Sequence, residues 1–234
     1  MTWLHQTRGR HAGAEIWVIG CGPSLDDYPD DFFDDKIAIA GKFAYFRFPD
    51  STYGISSYHS KGAMAGWLQG HREVLKKFII TVRTSYTGDL HRFGSEFRDA
   101  IYMRVWPERS RGPVDAVADA IATGQPHSYP GVDTIVHFAI QAAAVWGAKR
   151  IILSGCEHKA TKEKLHAERG GIGEAYRTFY GGQTFRMPEG GFLTPEQIRA
   201  YSICTEGTKW FAEALGRNGV EVVRHFYDRG YEEI

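Results

Sequence analysis

Glu15-Ile-Trp-Val-Ile-Gly-Cys-Gly-Pro-Ser-Leu-Asp26 is the stretch on which the reading of this chain turns. Ile16 to Ile19 form an apolar run of the length of a buried strand, and the run ends in Gly20-Cys21-Gly22. Glycine has no Cβ, so such a turn is free to take φ > 0 and to offer bare backbone N–H groups to a phosphate. Pro23 suits a first helical position, Ser24 and the Asp26–Asp27 pair follow, and Pro29 stops the helix within two turns. The unit is strand, glycine turn and short helix. It reads either as a phosphate site or as a tight strand–helix connection.

Two commoner phosphate loops do not fit. A dinucleotide fingerprint needs a third glycine where Leu25 stands, and an acid after the second strand. The second strand is expected over Lys36 to Ala40; it runs into Gly41-Lys42-Phe43 and offers no carboxylate there. A Walker-type loop needs a hydroxyl after Gly-Lys, and Phe43 holds that place.

Outward from this turn, strands and helices alternate, which predicts an α/β fold: a Rossmann-like, mostly parallel sheet with helices on both faces. Strands are expected over 52–57 and 78–82 and within 97–106, with helices over 61–76 and 114–122. A longer helix is expected from Val132 to Trp146, because Ile135, Phe138, Ala139, Ala142 and Trp146 recur at helical spacing. Asp133 is its expected cap and Gly147 its end, and His137 is placed on its polar edge in a structural role. Arg150 to Ser154 is a short strand of the buried kind. From Cys156 to Pro195, charges, glycines and aromatics alternate with no apolar period, as in a lid-like excursion. A helix over 195–217 and a strand over 220–223 close the chain, so 1–234 reads as a single nucleotide-binding domain with an insertion at 156–195.

Composition narrows the partners. With 234 residues and 43% hydrophobic content the chain can bury a full core. Its 28 Lys and Arg balance 28 Asp and Glu, so no global field recruits nucleic acid or an anionic membrane surface. No apolar run reaches spanning length, and Cys21, Cys156 and Cys204 are an odd number without metal-type spacing, which makes a cytoplasmic protein the expectation. Cys156, Glu157, His158 and His166 match no common zinc pattern, so no metal is assigned.

Taken together, Ile16-Trp-Val-Ile-Gly-Cys-Gly-Pro-Ser-Leu-Asp26, the turn Phe48-Pro-Asp50 before a strand, and Trp146-Gly-Ala-Lys-Arg-Ile-Ile-Leu-Ser-Gly-Cys156 after a small-residue helix resemble a known group. It contains the bacterial CMP-sialic-acid-dependent sialyltransferases and the 6-hydroxymethylpterin diphosphokinase-like proteins, which include motility accessory factors. The resemblance implies a nucleotide-dependent glycosyltransferase that moves a sugar from a nucleotide-sugar donor to the hydroxyl of a small or glycan acceptor. It implies that Gly20, Cys21, Gly22, Pro23 and Ser24 hold the nucleotide phosphate and ribose, with Cys21 and Lys42 near positions where those enzymes carry asparagines. Gly131 and Thr134 would flank a helix N-terminus that faces the donor's acidic part. Tyr176, Arg177 and Tyr180 would be lid residues closing on the phosphate, and His158 or Glu157 would be the general base just past a strand end. No cofactor is required by that mechanism. One alternative is a diphosphokinase of the hydroxymethylpterin type, using ATP and Mg²⁺ held by Asp26, Asp27 and Asp50; another is a nucleotide-binding module without turnover.

Overall fold

The computed structural model describes residues 2–57, 67–68, 70–83, 97–107, 118, 121–124, 127–128, 134–157, 167, 169–172, 174 and 195–234. The strands are β1 (Thr2–Trp3), β2 (Glu15–Ile19), β3 (Ala38–Gly41), β4 (Tyr53–Ser57), β5 (Phe78–Arg83), β6 (Ile101–Pro107), β7 (His127–Ser128), β8 (Arg150–Ser154), β9 (Glu221–Phe226) and β10 (Gly230–Glu233). The α-helices are α1 (Ala44–Arg47), α2 (Ile135–Val145) and α3 (Pro195–Arg217), and a 3-10 helix covers Pro23–Asp27.

The sheet runs β1-β6-β5-β4-β3-β2-β8-β9-β10, with β7 paired to β6. Every pairing is parallel except the terminal β9–β10 hairpin. This is the mostly parallel α/β sheet that the alternating pattern predicts. From β2 the chain steps outward through β3, β4, β5 and β6, then returns to lay β8 on the other side of β2. The direction of winding therefore reverses between β2 and β8, the place at which open α/β sheets take their ligands.

Both faces of the sheet are covered at its centre, which is why β2, β3 and β8 are apolar over most of their length rather than alternating. On one face Ile16, Val18, Ile39, Ile55 and Leu153 pack under α2 and under Phe211 and Leu215 of α3. On the other, Trp17, Ile19, Ala40, Ile80 and Ile152 pack against Tyr28, Phe33, Phe43 and Phe48 from the short helices.

Local structure departs from expectation at several places. Helix α2 starts at Ile135, and its cap is Thr134 rather than Asp133: Thr134 is extended (φ −104°, ψ 161°) and its hydroxyl accepts the His137 N–H. His137 is not on a polar edge but 1% exposed, with Nε2 3.2 Å from Thr208 Oγ1 on α3. Its ring bridges two packed helices, which satisfies a polar group that would otherwise be costly to bury. Gly147 ends α2 as predicted, at φ 84°, where a left-handed residue is needed. The strand expected within 97–106 spans Ile101–Pro107, and the last strand runs on to Phe226 and turns back into β10. The expected helices over 61–76 and 114–122 lie largely outside the described residues, but Arg72–Lys77 is a 3-10 helix.

One buried charge organises the second face. The Arg47 side chain is 1% exposed, donates to the carbonyls of Leu25 and Tyr28, and pairs with Asp26 at 3.8 Å and Asp30 at 3.2 Å. It thus donates to carbonyls at the end of the 3-10 helix, adding to the Tyr28 N–H that already reaches Leu25 O. Nearby, the buried Tyr28 hydroxyl donates to the His225 carbonyl and lies 2.9 Å from His225 Nδ1 and 3.2 Å from Ser154 Oγ. Burial holds the Tyr28 phenol well above its ordinary range, so it stays a neutral donor.

Arg47→Met keeps the volume of the stem but leaves Asp26 and the carbonyls without their guanidinium. It is expected to cost about 3 kcal/mol, measured by urea unfolding. Burial, then Lys36, holds the His225 imidazole below its ordinary 6.5, and burial, then Arg10, does the same for His11. Below pH 6.5 the unfolded chain therefore binds more protons than the native one. Stability is complete above that pH and falls as the pH drops toward the lowered native values, so the urea midpoint at about pH 5.5 should lie below that at about pH 7.5. His225→Asn should flatten this dependence.

Candidate functional site

At the switch point the turn after β2 meets the loop after β8. The parallel ladder that pairs Ile19 with Ser154 continues beyond the strands: Gly20 N–H donates to Ser154 O at 2.8 Å and Gly22 N–H to Gly155 O at 2.7 Å. Two residues on, Ser24 N–H and Oγ–H donate to the two carboxylate oxygens of Glu157 at 2.8 and 3.1 Å. The Gly20 and Gly22 amides are therefore spent on the neighbouring strand end and loop rather than presented to solvent.

This corrects the reason for the glycines. Neither Gly20 nor Gly22 has positive φ. A Cβ on Gly20 would lie 2.2 Å from Gly155 O and 2.9 Å from Cys156 Sγ, and one on Gly22 would lie 2.5 Å from Glu157 Oε2. Gly20 is a glycine because two backbones approach too closely for a side chain, and Gly22 because the Glu157 carboxylate occupies the space a Cβ would take. The residue that takes a left-handed conformation after β8 is Gly155, at φ 62°, packed on Leu25.

Pro23 opens the 3-10 helix as expected, and Ser24 is its first free amide, which Glu157 takes in the manner of an internal anion. The Cys21 thiol donates to Gly41 O at 3.3 Å, which ties the turn to the end of β3. Burial, then the Glu157 charge, pushes the Cys156 thiol far up, and it donates to Ser154 O at 3.2 Å; it is a structural thiol rather than a nucleophile.

Lys42 follows β3 at the same edge. Among the described residues it is the one non-glycine with positive φ, at 47°, and it is half-buried. Such backbone is unfavourable for a residue with a Cβ and needs a surrounding structure to hold it. Here the hold comes from Lys42 N–H, bonded to Ile55 O at 2.9 Å, and from the Lys42 carbonyl, which accepts the Tyr45 N–H. No ion pair or hydrogen bond engages the Lys42 ammonium among the described residues. The first turn of α2 also reaches this edge: a Cβ on Gly41 would lie 3.2 Å from Ile135 Cγ2. Thr134 thus stands beside the end of β3, with its hydroxyl already used as the helix cap.

The structure brings together Gly20, Cys21, Gly22, Pro23, Ser24 and Glu157, with Lys42 and Thr134 at the same strand edge. His158, His166, Gly131, Tyr176, Arg177 and Tyr180 lie outside the described residues. The described part of the 156–195 segment returns to the turn: Ala167 N–H donates to Cys21 O at 3.0 Å, and Arg169 donates to Asp26 O and Asp26 Oδ1. Asp26 is thereby engaged by two arginines. No group of three or more potential metal ligands occurs among the described residues.

Sequence reading missed Arg47 and Arg224. Each stands as a lone cation in an otherwise apolar or aromatic run, Ala44-Tyr-Phe-Arg-Phe48 and Val222-Val-Arg-His-Phe226, and that contrast was the available signal. It also missed a cavity of about 220 Å³ at the other end of the sheet, lined by Trp3, Leu4, His5, Tyr102, Arg104 and Gly124. Comparison with family models, with curated proteins and with solved structures gave no match. Among the described residues no helix is long and apolar enough to cross a membrane.

The two glycines should respond differently to a methyl group. Gly20→Ala drives a Cβ into the Gly155 backbone and is expected to cost about 3 kcal/mol. Gly22→Ala meets only the end of the Glu157 side chain, which can rotate away, and should cost about 1 kcal/mol through the lost Ser24 bonds. Urea unfolding of the two variants reads the contrast.

Proposed function

We propose that the chain is a nucleotide-dependent transferase of the sialyltransferase-like kind, acting in the crevice between the ends of β2 and β8. The observation that carries this reading is the reversal of winding between those two strands, at the point where Gly20–Ser24 and Gly155–Glu157 meet. Open α/β sheets take ligands at that place. The family resemblance of the glycine turn supplies the choice of nucleotide sugar as donor.

The roles follow from what each group is free to do. Lys42, with its unpaired ammonium at the edge of β3, neutralises the donor phosphate. Ser24 offers its hydroxyl and amide once Glu157 is displaced, and Glu157 otherwise holds the turn closed. With both Glu157 oxygens engaged, the general base is His158, the next residue in the chain, which would take the acceptor proton as that hydroxyl attacks the anomeric carbon and the nucleotide leaves. Tyr176, Arg177 and Tyr180 close over the leaving phosphate. One specific observation favours a second reading, a nucleotide-binding module without turnover: the amides of the turn are filled from within the chain.

A thermal-shift panel of CMP, CDP, UDP, GDP and ATP, each with and without Mg²⁺, tests the proposal. A ligand that binds only the native chain raises the melting temperature by mass action. CMP or CDP is expected to raise it without metal, and Lys42→Met to abolish the shift. A shift seen only with ATP and Mg²⁺ would replace this reading with the diphosphokinase, and silence across the panel would reduce the turn to architecture.

A further inference from the structure

Arg224 lies in β9, opposite Leu153 of β8 and therefore in the row that crosses the sheet through Val18 of β2. Its neighbours Val223 and His225 face the aromatic layer, so Arg224 faces the α2 and α3 side together with Val222 and Cys156. There its Nε and Nη2 are both buried, and neither has a hydrogen-bond partner. These two nitrogens share one edge of the guanidinium, the edge that grips a carboxylate or phosphate through two parallel N–H bonds. The residue as a whole is half-buried.

The natural internal partner is present and committed elsewhere. Glu232 stands directly across the β9–β10 ladder from Arg224, on the same face, but gives its carboxylate to Arg229 at 3.0 Å. Glu157 gives both oxygens to Ser24. A guanidinium edge held away from water without an anion is unfavourable, and it persists where a ligand completes it. The Arg224 charge also opposes the upward push that burial and Glu157 exert on the Cys156 thiol.

We propose that the Nε–Nη2 edge of Arg224 is an oxyanion-binding group that takes the phosphate or carboxylate of a ligand entering at the β2–β8 switch point. The assignment deepens the transferase reading, since it names the residue that would hold the ligand's anionic group. It does not depend on that ligand being a nucleotide.

The test uses inorganic phosphate and acetate as probes on the full chain, read by melting temperature and by the arginine Nε–Hε NMR resonance that disappears in Arg224→Lys. Phosphate, acetate or both should stabilise the wild type and move that resonance; the stronger of the two identifies the anion class. Arg224→Met should lose the stabilisation while being as stable as wild type, or more so, in anion-free buffer, because it removes two unpaired buried donors. Arg224→Lys keeps the charge but not the fork, and should weaken the anion roughly ten- to hundredfold. If Arg224→Met retained the full anion shift, or if neither probe moved the Arg224 resonance, the proposal would be wrong. Strong coupling between Arg224→Met and Glu232→Gln with no anion effect would also overturn it, assigning the fork to Glu232. Should Arg224→Met fail to fold, the wild-type NMR titration decides alone. An anion effect at Arg224 combined with silence toward all nucleotides would retain this inference and reject the nucleotide reading.

Discussion

The close approach of two backbones, the turn after β2 and the loop after β8, is the constraint on which this architecture rests. Parallel strands ordinarily part at their carboxyl ends, yet here the hydrogen bonding runs on from Ile19 and Ser154 through Gly20 and Gly22. Only residues without a Cβ permit it, since a methyl on Gly20 would overlap a carbonyl oxygen of the facing chain. The contact fixes the direction in which the 3-10 helix leaves, and that helix in turn sets Tyr28 against His225 and Ser154. The aromatic layer covering the second face is then built on Tyr28, Phe32 and Phe33.

Such a junction needs its ends tied, because a 3-10 helix of five residues satisfies few of its own polar groups. Glu157 supplies an acceptor at the first free amide, and Arg47 supplies donors at the last carbonyls. Opposite charges thus sit at opposite ends of the short helix, in the sense that favours its dipole. Arg169 adds a second cation at the same carboxyl end through Asp26 O and Asp30, which draws the described part of the 156–195 segment onto the junction. Gly170, at φ 64°, lets that segment lie directly on the Arg47 stem.

Much of this was legible in the sequence where one physical cause dominated. Helix α3 and strand β8 were read with their bounds, the helix opening at Pro195 and the strand standing as a short apolar run just after Gly147. The two-residue β1 and the four-residue return strand β10 were not read, since segments that short and, in β10, that polar carry no apolar period of their own. The glycine turn was located correctly and its glycines misread: a sequence cannot distinguish a glycine needed for positive φ from one needed for close approach to a residue more than a hundred positions away. His137 was assigned to a polar edge for a related reason, because its partner Thr208 lies on another helix. The cap of α2 moved by one residue, from Asp133 to Thr134, since both are good caps and only backbone geometry separates them.

The same economy of amides bears on how any anion is recognised at the switch point. In a phosphate loop of the usual kind the backbone carries recognition, and side chains tune it. Here Gly20 and Gly22 N–H are committed to β8 carbonyls, and the Thr134 hydroxyl to its own helix. What stays available is side-chain charge: the Lys42 ammonium on strained backbone at the end of β3 and the Arg224 fork in β9, one on each side of the β2–β8 pair. A ligand held by two flanking cations needs negative charge at two places, or one extended anionic group, and gains little from the turn itself. Against those cations stands Glu157, whose carboxylate already occupies the nearest amide. Under the proposed reading the Glu157 charge would oppose an entering anion, and an anion that took the Ser24 amide would have to displace that carboxylate.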